Sequence, residues 1–191
     1  SLAGSTRNPA KAGGETRVGG FGGVEGLAGY IRDYGVDFLI DATHPFSKQI
    51  SKHSCLAAAA TNTPRCVLAR APWQAQAGDR WHEVADMAAA AARVPGLGGR
   101  VFLSVGARSL DFFSGLRDYW FLVRLVDAPD DPLPLAQAEL ITGREPFDAA
   151  GERQLFERYE IDLVVTRASG GDATKGKIDV ARDLGLPVIM V

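Results

Sequence analysis

Short apolar runs alternate with helix-like segments along almost the whole chain, and this alternation limits the possible folds more than any other feature. Strands that alternate with helices form parallel sheets with helices on both faces, so the sequence predicts an α/β protein. We predict strands at residues 36–41, 65–69, 81–84, 101–105, 120–126, 139–142, 162–166 and 187–191, a short strand at 16–19, and helices at 24–33, 47–61, 87–94, 110–116, 147–159 and 174–184.

A segment rich in glycine and proline, residues 95–99, interrupts this pattern and is typical of a hinge. We therefore place a domain boundary there. The prediction is an N-terminal α/β domain at residues 1–96, a second α/β domain at residues 97–191, and a cleft between them.

The composition is that of an ordinary soluble protein, with 46% hydrophobic and 23% charged residues among 191. A net charge of −2 favours neither nucleic acid nor an anionic membrane as a partner. The two cysteines show no paired spacing, the three histidines are scattered, and the longest apolar stretches are too short to span a bilayer. No signal peptide is visible, so we expect a cytoplasmic protein without a metal site.

Residues 41–47, with the sequence DATHPFS, lie where a predicted strand ends and a helix begins. Ligands of open α/β sheets bind at the carboxyl ends of the strands, and Asp41, Thr43 and His44 offer an anion, a hydroxyl and an imidazole there. Pro45 suits a first helical turn because its missing N–H needs no partner. Alternatively, Thr43 only caps the helix and Asp41 only fills a turn.

A glycine-rich run, residues 19–23, precedes the first predicted helix. Such a run allows the backbone to approach a ligand closely, or it forms a flexible turn. The run as a whole, residues 19–23, is therefore a candidate for ligand contact.

In the second half, two further strand ends at residues 142–147 and 166–171 combine small residues with cations. The N–H groups of Ser169, Gly170 and Gly171 are a candidate anion cradle. The cations near these strand ends, Arg144, Lys175 and Lys177, are candidate partners for the carboxylates of a ligand. Alternatively, Arg144 pairs with a neighbouring acid of the protein, and the two lysines are solvated. Arg124 interrupts an apolar strand, so it lies on an edge, is paired, or faces the cleft.

Taken together, these segments resemble the precorrin-6A reductase family, including its cobalt-precorrin-6A form. The resemblance covers nearly the whole chain, and its most specific parts are DATHPF at residues 41–46 and SGG at 169–171. Further matching segments are SLAG at 1–4 with Thr6, VGGFGG at 18–23, GREPF at 143–147, TRASGG at 166–171, Lys177 and ARDLGLPV at 181–188.

The resemblance implies two Rossmann-like domains with an active-site cleft between them, and reduction of a double bond in precorrin-6A to give precorrin-6B in cobalamin biosynthesis. It implies a nicotinamide cofactor, NAD(P)H, on the N-terminal domain, no metal, and a small anionic tetrapyrrole as substrate; we expect NADPH as the preferred form, and a monomer. Thr43 and His44 are the catalytic candidates. The implied cofactor-binding residues are Ser1, Gly4, Thr6, Arg7, Gly20, Phe21, Gly22, Asp41, Ala42, Thr43, His44 and Pro45. The implied substrate-binding residues are Arg144, Ser169, Gly170, Gly171, Lys175 and Lys177.

Two departures from the family pattern matter. The family opens with a strand and a Gly-Gly-Thr phosphate loop that are not in this sequence, so we expect about 30 further residues upstream, one strand–helix unit. Arg167-Ala168 replaces the Lys-Asn or Lys-Asp that often precedes Ser-Gly-Gly, which weakens a catalytic role there. Ser1, Ser5, Thr6 and Arg7 suit the 2′-phosphate of NADPH.

Two other functions compete with this one. A tetrapyrrole- or nucleotide-binding fragment without turnover is the alternative that the missing phosphate loop allows. A short-chain dehydrogenase is a poor fit, because no tyrosine is followed four residues later by the lysine which that chemistry needs.

Overall fold

The computed structural model describes residues 13–191, and the chain divides into two compact units at Arg70 and Ala71. The first unit contains α1 (Gly23–Asp33), β1 (Leu39–Asp41), α2 (Lys48–Thr61) and β2 (Arg65–Val67). The second contains β3 (Arg80–Glu83), α3 (Met87–Arg93), β4 (Arg100–Ser104), a 3-10 helix (Ala107–Phe113), β5 (Trp120–Leu125), β6 (Ala138–Thr142), α4 (Ala149–Arg158), β7 (Leu163–Thr166), α5 (Gly176–Asp183) and β8 (Pro187–Met190).

Both units are built on parallel sheets, which confirms the predicted α/β class. In the first unit β1 pairs with β2, so that Leu39 lies opposite Arg65. In the second unit six parallel strands follow the order β3-β8-β7-β4-β5-β6. The carboxyl ends of all six strands therefore lie along one edge of this sheet.

The core of the first unit is small. Leu27, Ala28 and Ile31 of α1 lie on one helical stripe and pack with Ala57 of α2. Burial of this stripe, rather than strand pairing, supplies most of the apolar contact in the unit.

The core of the second unit has two layers, one on each face of the sheet. Alternate residues of β4 belong to different layers: Val101 and Leu103 pack in one, and Phe102 packs in the other. All of the residues of β7 and β8 are buried. Burial on both faces explains why these strands are continuous apolar runs in the sequence.

The predicted domain boundary at residue 96 is wrong. β3 pairs residue by residue with β8, from Arg80 opposite Pro187 to Glu83 opposite Met190, so β3 and α3 belong to the second unit. Two of the glycines that suggested a hinge contact Asp162 instead. A Cβ atom on Gly98 would lie 2.4 Å from Asp162 Oδ1, and the N–H group of Gly99 donates to the same carboxylate.

Two local predictions of secondary structure also need correction. The predicted helix at residues 110–116 is a 3-10 helix that begins earlier, at Ala107. The predicted strand at residues 16–19 is reduced to one bridge at Val18. Within residues 13–191, no helix has the length and apolar character needed to cross a membrane.

Candidate functional site

Asp41, the last residue of β1, is the centre of a hydrogen-bond network in the first unit. One carboxylate oxygen accepts from the Thr43 N–H at 3.1 Å and the Thr43 hydroxyl at 2.7 Å. The other accepts from Ser51 Oγ at 2.6 Å, Ser54 Oγ at 2.8 Å and Arg65 Nη2 at 2.6 Å. We call these five residues the Asp41 network; it ties β1 to α2 and β2.

The Asp41 carboxylate is charged although it is only 3% exposed. Burial by itself would raise its pKa, but the hydrogen bonds from Ser51, Thr43, Arg65 and Ser54 outweigh burial and hold the pKa well below the usual aspartate range. Its lone pairs point to protein donors, so Asp41 shapes the turn that follows it. Contact between Asp41 and a cofactor stays a prediction.

The turn at residues 42–47 precedes a helix that starts within one residue of the predicted position. The helix begins at Lys48 with Ser47 at the N-cap, so Pro45 lies in the preceding turn and not in the first helical turn. Thr43 does not cap the helix either, because its hydroxyl donates to Asp41. Ala42, His44 and Pro45 are exposed.

His44 has a defined orientation in this turn. Its Nδ1 accepts a hydrogen bond from the Phe46 N–H at 3.3 Å, and the two rings lie 5.8 Å apart. This contact makes Nδ1 the acceptor, so the proton of the neutral ring is on Nε2.

The glycine run leads directly into α1. Gly22 is the N-cap with φ of 81°, and a Cβ atom on Gly20 or Gly22 would meet nothing within 4 Å. The centre of the Phe21 ring lies 5.0 Å from that of Tyr30 and 4.7 Å from the guanidinium carbon of Arg17, so these two side chains fix the position of Phe21. The structure thus leaves open space beside the glycines at a helix N-terminus that no described side chain caps.

The anion cradle predicted at residues 169–171 is wrong for two of its three N–H groups. The Ser169 N–H donates to the Arg167 carbonyl at 2.7 Å, and the Gly171 N–H donates to the Ala71 carbonyl at 2.9 Å. Gly170 has φ of 68°, and a Cβ atom there would lie 2.4 Å from the Ala71 carbonyl oxygen. These glycines serve close packing within the second unit.

Lys177 is buried, contrary to both sequence interpretations, a carboxylate partner or a solvated lysine. It is 2% exposed, its Nζ donates to the Thr174 carbonyl at 2.7 Å, and it lies 5.0 Å from the centre of the Trp73 ring. Burial lowers the pKa of Lys177 to about 8; the charge of Arg124 acts in the same direction, and Glu152 opposes it.

The two other predicted cations are accessible but paired. Arg144 Nη2 lies 3.1 Å from Asp127 Oδ1, and Lys175 Nζ lies 3.6 Å from Asp179 Oδ1. For Arg144 this is the alternative that the sequence left open. An anionic ligand would have to replace an acid at each of these cations.

Comparison with known proteins decides the family. A family model described as "Precorrin-6x reductase CbiJ/CobK" matches residues 1–191. The chain belongs to this family.

Relatives and a solved structure agree with the CbiJ family. The precorrin-6A reductase of Rhodobacter capsulatus is 46% identical over 191 residues, which are 100% of this chain and 76% of the relative. That of Rhodococcus erythropolis is 44% identical, covering 100% of this chain and 77% of the relative. A solved structure of a CobK precorrin-6A reductase superimposes with a TM-score of 0.94 at 46% identity, covering 99% of this chain and 75% of that chain.

Four of the cofactor-binding residues that the family implies, Ser1, Gly4, Thr6 and Arg7, lie outside the described residues. Within residues 13–191, no three His, Cys, Asp or Glu side chains gather into a group that could hold a metal ion.

Sequence reasoning missed Arg108 at the carboxyl edge of the large sheet, and it did not identify the partners of Arg167 and Trp73 there. Arg108 is exposed just after β4, and Arg167 Nη2 donates to Ser109 Oγ at 2.8 Å just after β7. Trp73 Nε1 donates to the Gly171 carbonyl at 2.7 Å. The clue for Arg108 was its place after a strand, the same clue that selected Arg144. The partner of Trp73 could not be identified from the sequence, since it lies 98 residues away.

Of the three possibilities predicted for Arg124, an edge position, an ion pair or a place facing the cleft, the structure shows an ion pair. Arg124 forms a short ion pair with Glu152, and its guanidinium carbon lies 3.8 Å from the centre of the Phe147 ring. Arg124 is 8% exposed and Glu152 is 2% exposed. A charge inside an apolar strand was the signal for the pair, but its partner on α4 could not be read from the sequence.

Proposed function

We propose that this chain is a cytoplasmic, monomeric reductase of cobalamin biosynthesis that uses NADPH to reduce one double bond of precorrin-6A, giving precorrin-6B. The observation that carries this proposal is the match over the whole chain: the backbone follows that of a solved precorrin-6A reductase with a TM-score of 0.94 at 46% identity. Turnover is favoured over simple binding because every curated relative compared above is named as a reductase.

The described residues fit a nicotinamide cofactor at the start of α1. Helix N-terminal N–H groups bind phosphates, and here Gly22 leaves them without a side-chain cap, with open space where a Cβ atom would be. When bound, the reduced nicotinamide supplies a hydride. Glu25 lies in the same first turn and would repel a phosphate, so we place the phosphate beside Gly20 and Gly22.

Three arginines support the binding of an anionic macrocycle. Arg108, Arg144 and Arg167 follow the carboxyl ends of β4, β6 and β7, which lie along one edge of the sheet. Arginine binds carboxylates in a planar, two-pronged geometry that suits a ligand with several acidic arms. Lys177 is excluded from direct contact by its burial, and it supports the loop at residues 169–174 instead.

His44 stays the candidate proton donor, and its geometry sets a condition. Donation from an imidazolium requires a proton on Nδ1 as well, and the Phe46 N–H must then give up its bond to that atom. A bound anion would favour this change by stabilising the positive ring.

The decisive experiment mixes the purified protein with precorrin-6A and NADPH and follows the near-ultraviolet absorbance of the reduced nicotinamide. Steady loss of absorbance, formation of a product two mass units heavier, and a lower KM for NADPH than for NADH are expected. Substrate binding without absorbance loss would instead establish the non-catalytic alternative. The H44A variant is expected to lower kcat, and its KM for NADPH shows whether His44 also contacts the cofactor.

A further inference from the structure

Asp41 holds two different parts of the first unit with the two oxygens of its carboxylate. Among the described residues, Oδ2 accepts from Ser51 and Ser54 of α2 and from Arg65 of β2. Oδ1 accepts from Thr43, whose N–H lies at 3.1 Å and whose hydroxyl lies at 2.7 Å. Because three donors on Oδ2 restrict rotation of the carboxylate, Oδ1 holds Thr43 from a fixed position.

Arg65 makes this anchor rigid. Its Nη2 donates to Asp41 Oδ2 at 2.6 Å and to Ser51 Oγ at 3.0 Å. Its Nε donates to Ser54 Oγ at 2.9 Å. The planar guanidinium therefore connects three side chains of β1 and α2 in one fixed geometry, and the turn after β1 starts from a fixed, charged group.

Two hydrogen bonds to one oxygen restrict both the backbone and the side chain of Thr43. The bond from its N–H closes an Asx turn, which fixes the backbone between Asp41 and Thr43. The bond from its hydroxyl selects one rotamer of a β-branched side chain that has few rotamers. Thr43 is half-buried, whereas Ala42 and His44 on either side are exposed. The side chain of Thr43 therefore faces the protein, and that of His44 faces the solvent.

The hydroxyl proton of Thr43 is committed to Asp41. The donors around Asp41 keep its carboxylate ionised, and an ionised carboxylate accepts hydrogen bonds but cannot donate them. The hydroxyl must therefore be the donor in this pair. A hydroxyl has one proton, so Thr43 has none to give to a substrate. This separates the two catalytic candidates, Thr43 and His44.

His44 is fixed on both sides along the chain. Thr43 precedes it, and on the other side the His44 carbonyl accepts from the Ser47 N–H at 2.7 Å. The ring is held by the Phe46 N–H, which donates to Nδ1 at 3.3 Å. The direction of the imidazole thus depends on a turn whose first fixed residue is Thr43.

We propose that Thr43 is a positioning residue: its two bonds to Asp41 fix the turn from which His44 presents its imidazole at the carboxyl end of β1. Thr43 acts on the reduction through His44 and does not move a proton itself. This inference rests on the proposed function, in which His44 is the proton donor. A catalytic Thr43 would have to break its hydroxyl bond and leave Asp41 Oδ1 with one donor.

The first test compares variants that keep or remove the hydroxyl. Thr43→Val keeps the branched shape without the hydroxyl, and Thr43→Ser keeps the hydroxyl. With precorrin-6A and NADPH, we expect kcat to fall about tenfold in Thr43→Val and to stay within about twofold in Thr43→Ser. Thr43→Ala is a second variant without the hydroxyl, so misfolding of one does not prevent the test.

Thr61→Val is the matched control. The Thr61 hydroxyl donates to the Ala57 carbonyl at 2.9 Å in the last turn of α2. This variant loses a bonded hydroxyl of the same kind in the same unit, away from the turn. Its kcat should equal that of the unchanged protein.

The second test is ¹⁵N NMR of the imidazole rings, on protein without cofactor or substrate and at alkaline pH, where the rings are neutral. The His44→Ala spectrum assigns His44 among the three histidines. In the unchanged protein and in Thr43→Ser, His44 is expected as one tautomer with its proton on Nε2. In Thr43→Val the two tautomers should mix, because the Phe46 N–H no longer meets Nδ1 in a fixed turn.

Two results would overturn the proposal. A lower kcat in Thr43→Val with an unchanged His44 spectrum would mean that the hydroxyl takes part in the reaction directly. Equal kcat values in Thr43→Val and Thr43→Ser would mean that the hydroxyl bond does not position His44. If the unchanged protein shows no turnover, the proposed function fails, and the spectra still decide whether Thr43 fixes His44.

Discussion

The Asp41 network and the Arg124–Glu152 pair both bury a carboxylate beside an arginine, but they differ in how completely the charges are satisfied. Both oxygens of Asp41 accept hydrogen bonds, from two serines, a threonine and Arg65. Glu152 has one oxygen bonded and one without a described partner, and in Arg124 the Nη1 atom is bonded whereas the Nη2 atom has no described partner.

This difference decides how well each buried charge is stabilised. Hydrogen bonds to both oxygens stabilise the charged state of Asp41, which is how Asp41 holds the turn that follows it. The Arg124–Glu152 pair leaves a buried donor and a buried acceptor without partners among the described residues, which costs stability. The predictions below test this distinction, from the largest expected effect to the smallest.

The largest effect is expected when the incomplete pair loses one partner. Glu152→Ala leaves the Arg124 guanidinium buried without its counter-ion, and we expect the free energy of unfolding of the second unit to fall by about 3–5 kcal/mol. Urea unfolding followed by tryptophan fluorescence measures this, because the three tryptophans, at positions 73, 81 and 120, all lie in the second unit.

Replacing both partners is the control. Arg124→Met with Glu152→Leu removes both charges together, so the loss should be clearly smaller than that of Glu152→Ala alone. A double variant as unstable as Glu152→Ala, or a single variant without effect, would contradict the view of a buried but incomplete pair.

In the saturated network, Asp41→Asn removes the charge and keeps the shape. The asparagine NH₂ group would face Arg65 and two serine donors, so we expect a loss of about 2–4 kcal/mol, seen as lower hydrogen-exchange protection of the α2 amides. Ser47→Ala, at the start of the same helix but outside the network, should change protection by less than about 0.5 kcal/mol.

The Asp41 network should make the stability of α2 fall in acid. The pKa of Asp41 is depressed in the folded chain, so its contribution is fully present above the unfolded aspartate value of 3.8 and is lost as the pH falls below it. The α2 amides should therefore lose protection between pH 4 and pH 2 in the unchanged protein, and much less of it in Asp41→Asn. If protection of the α2 amides fell equally with pH in the unchanged protein and in Asp41→Asn, Asp41 would not be the group responsible.

Local patterns predicted the elements of this fold well. Asp86 and Asp148 each cap a helix through the N–H group three residues later, and an aspartate just before a helix is a common sequence signal of its start. Strand and helix positions came from periodicity, which depends on neighbouring residues only.

What the sequence could not predict depends on partners far along the chain. β3 joins the second sheet because it pairs with β8, more than 100 residues later, and no pattern near β3 signals that. Lys177 was predicted to bind a carboxylate or to be solvated because it follows a strand end, yet the Trp73 ring of a distant loop lies 5.0 Å from its Nζ. At the candidate site, the sequence correctly located the strand ends. It did not reveal that the Asp41 carboxylate and the N–H groups of Ser169 and Gly171 form hydrogen bonds within the protein.

The buried Lys177 should change the free energy of unfolding with pH by an intermediate amount. Its pKa is lowered to about 8, so the unfolded chain binds more protons than the folded chain between about pH 8 and the ordinary lysine value of 10.5. The free energy of unfolding should therefore gain roughly 1–3 kcal/mol from this group as the pH rises through that range. Lys177→Met should lack this gain, and identical pH profiles of the two proteins would contradict it.

The smallest effect is expected at the exposed pair of Arg144 and Asp127, which unlike the two buried sites is open to solvent. Asp127→Asn removes the acid that competes with an anionic substrate, so the KM for the macrocycle should fall about two- to threefold while stability changes by less than about 0.5 kcal/mol. Asp183→Asn is the control, because it releases Arg153 on the surface of α4, away from the strand ends. An equal fall in both variants would mean that added positive charge anywhere on the protein attracts the substrate. A fall in Asp127→Asn alone would assign Arg144 to substrate binding, since only there is the released cation at the carboxyl end of a strand.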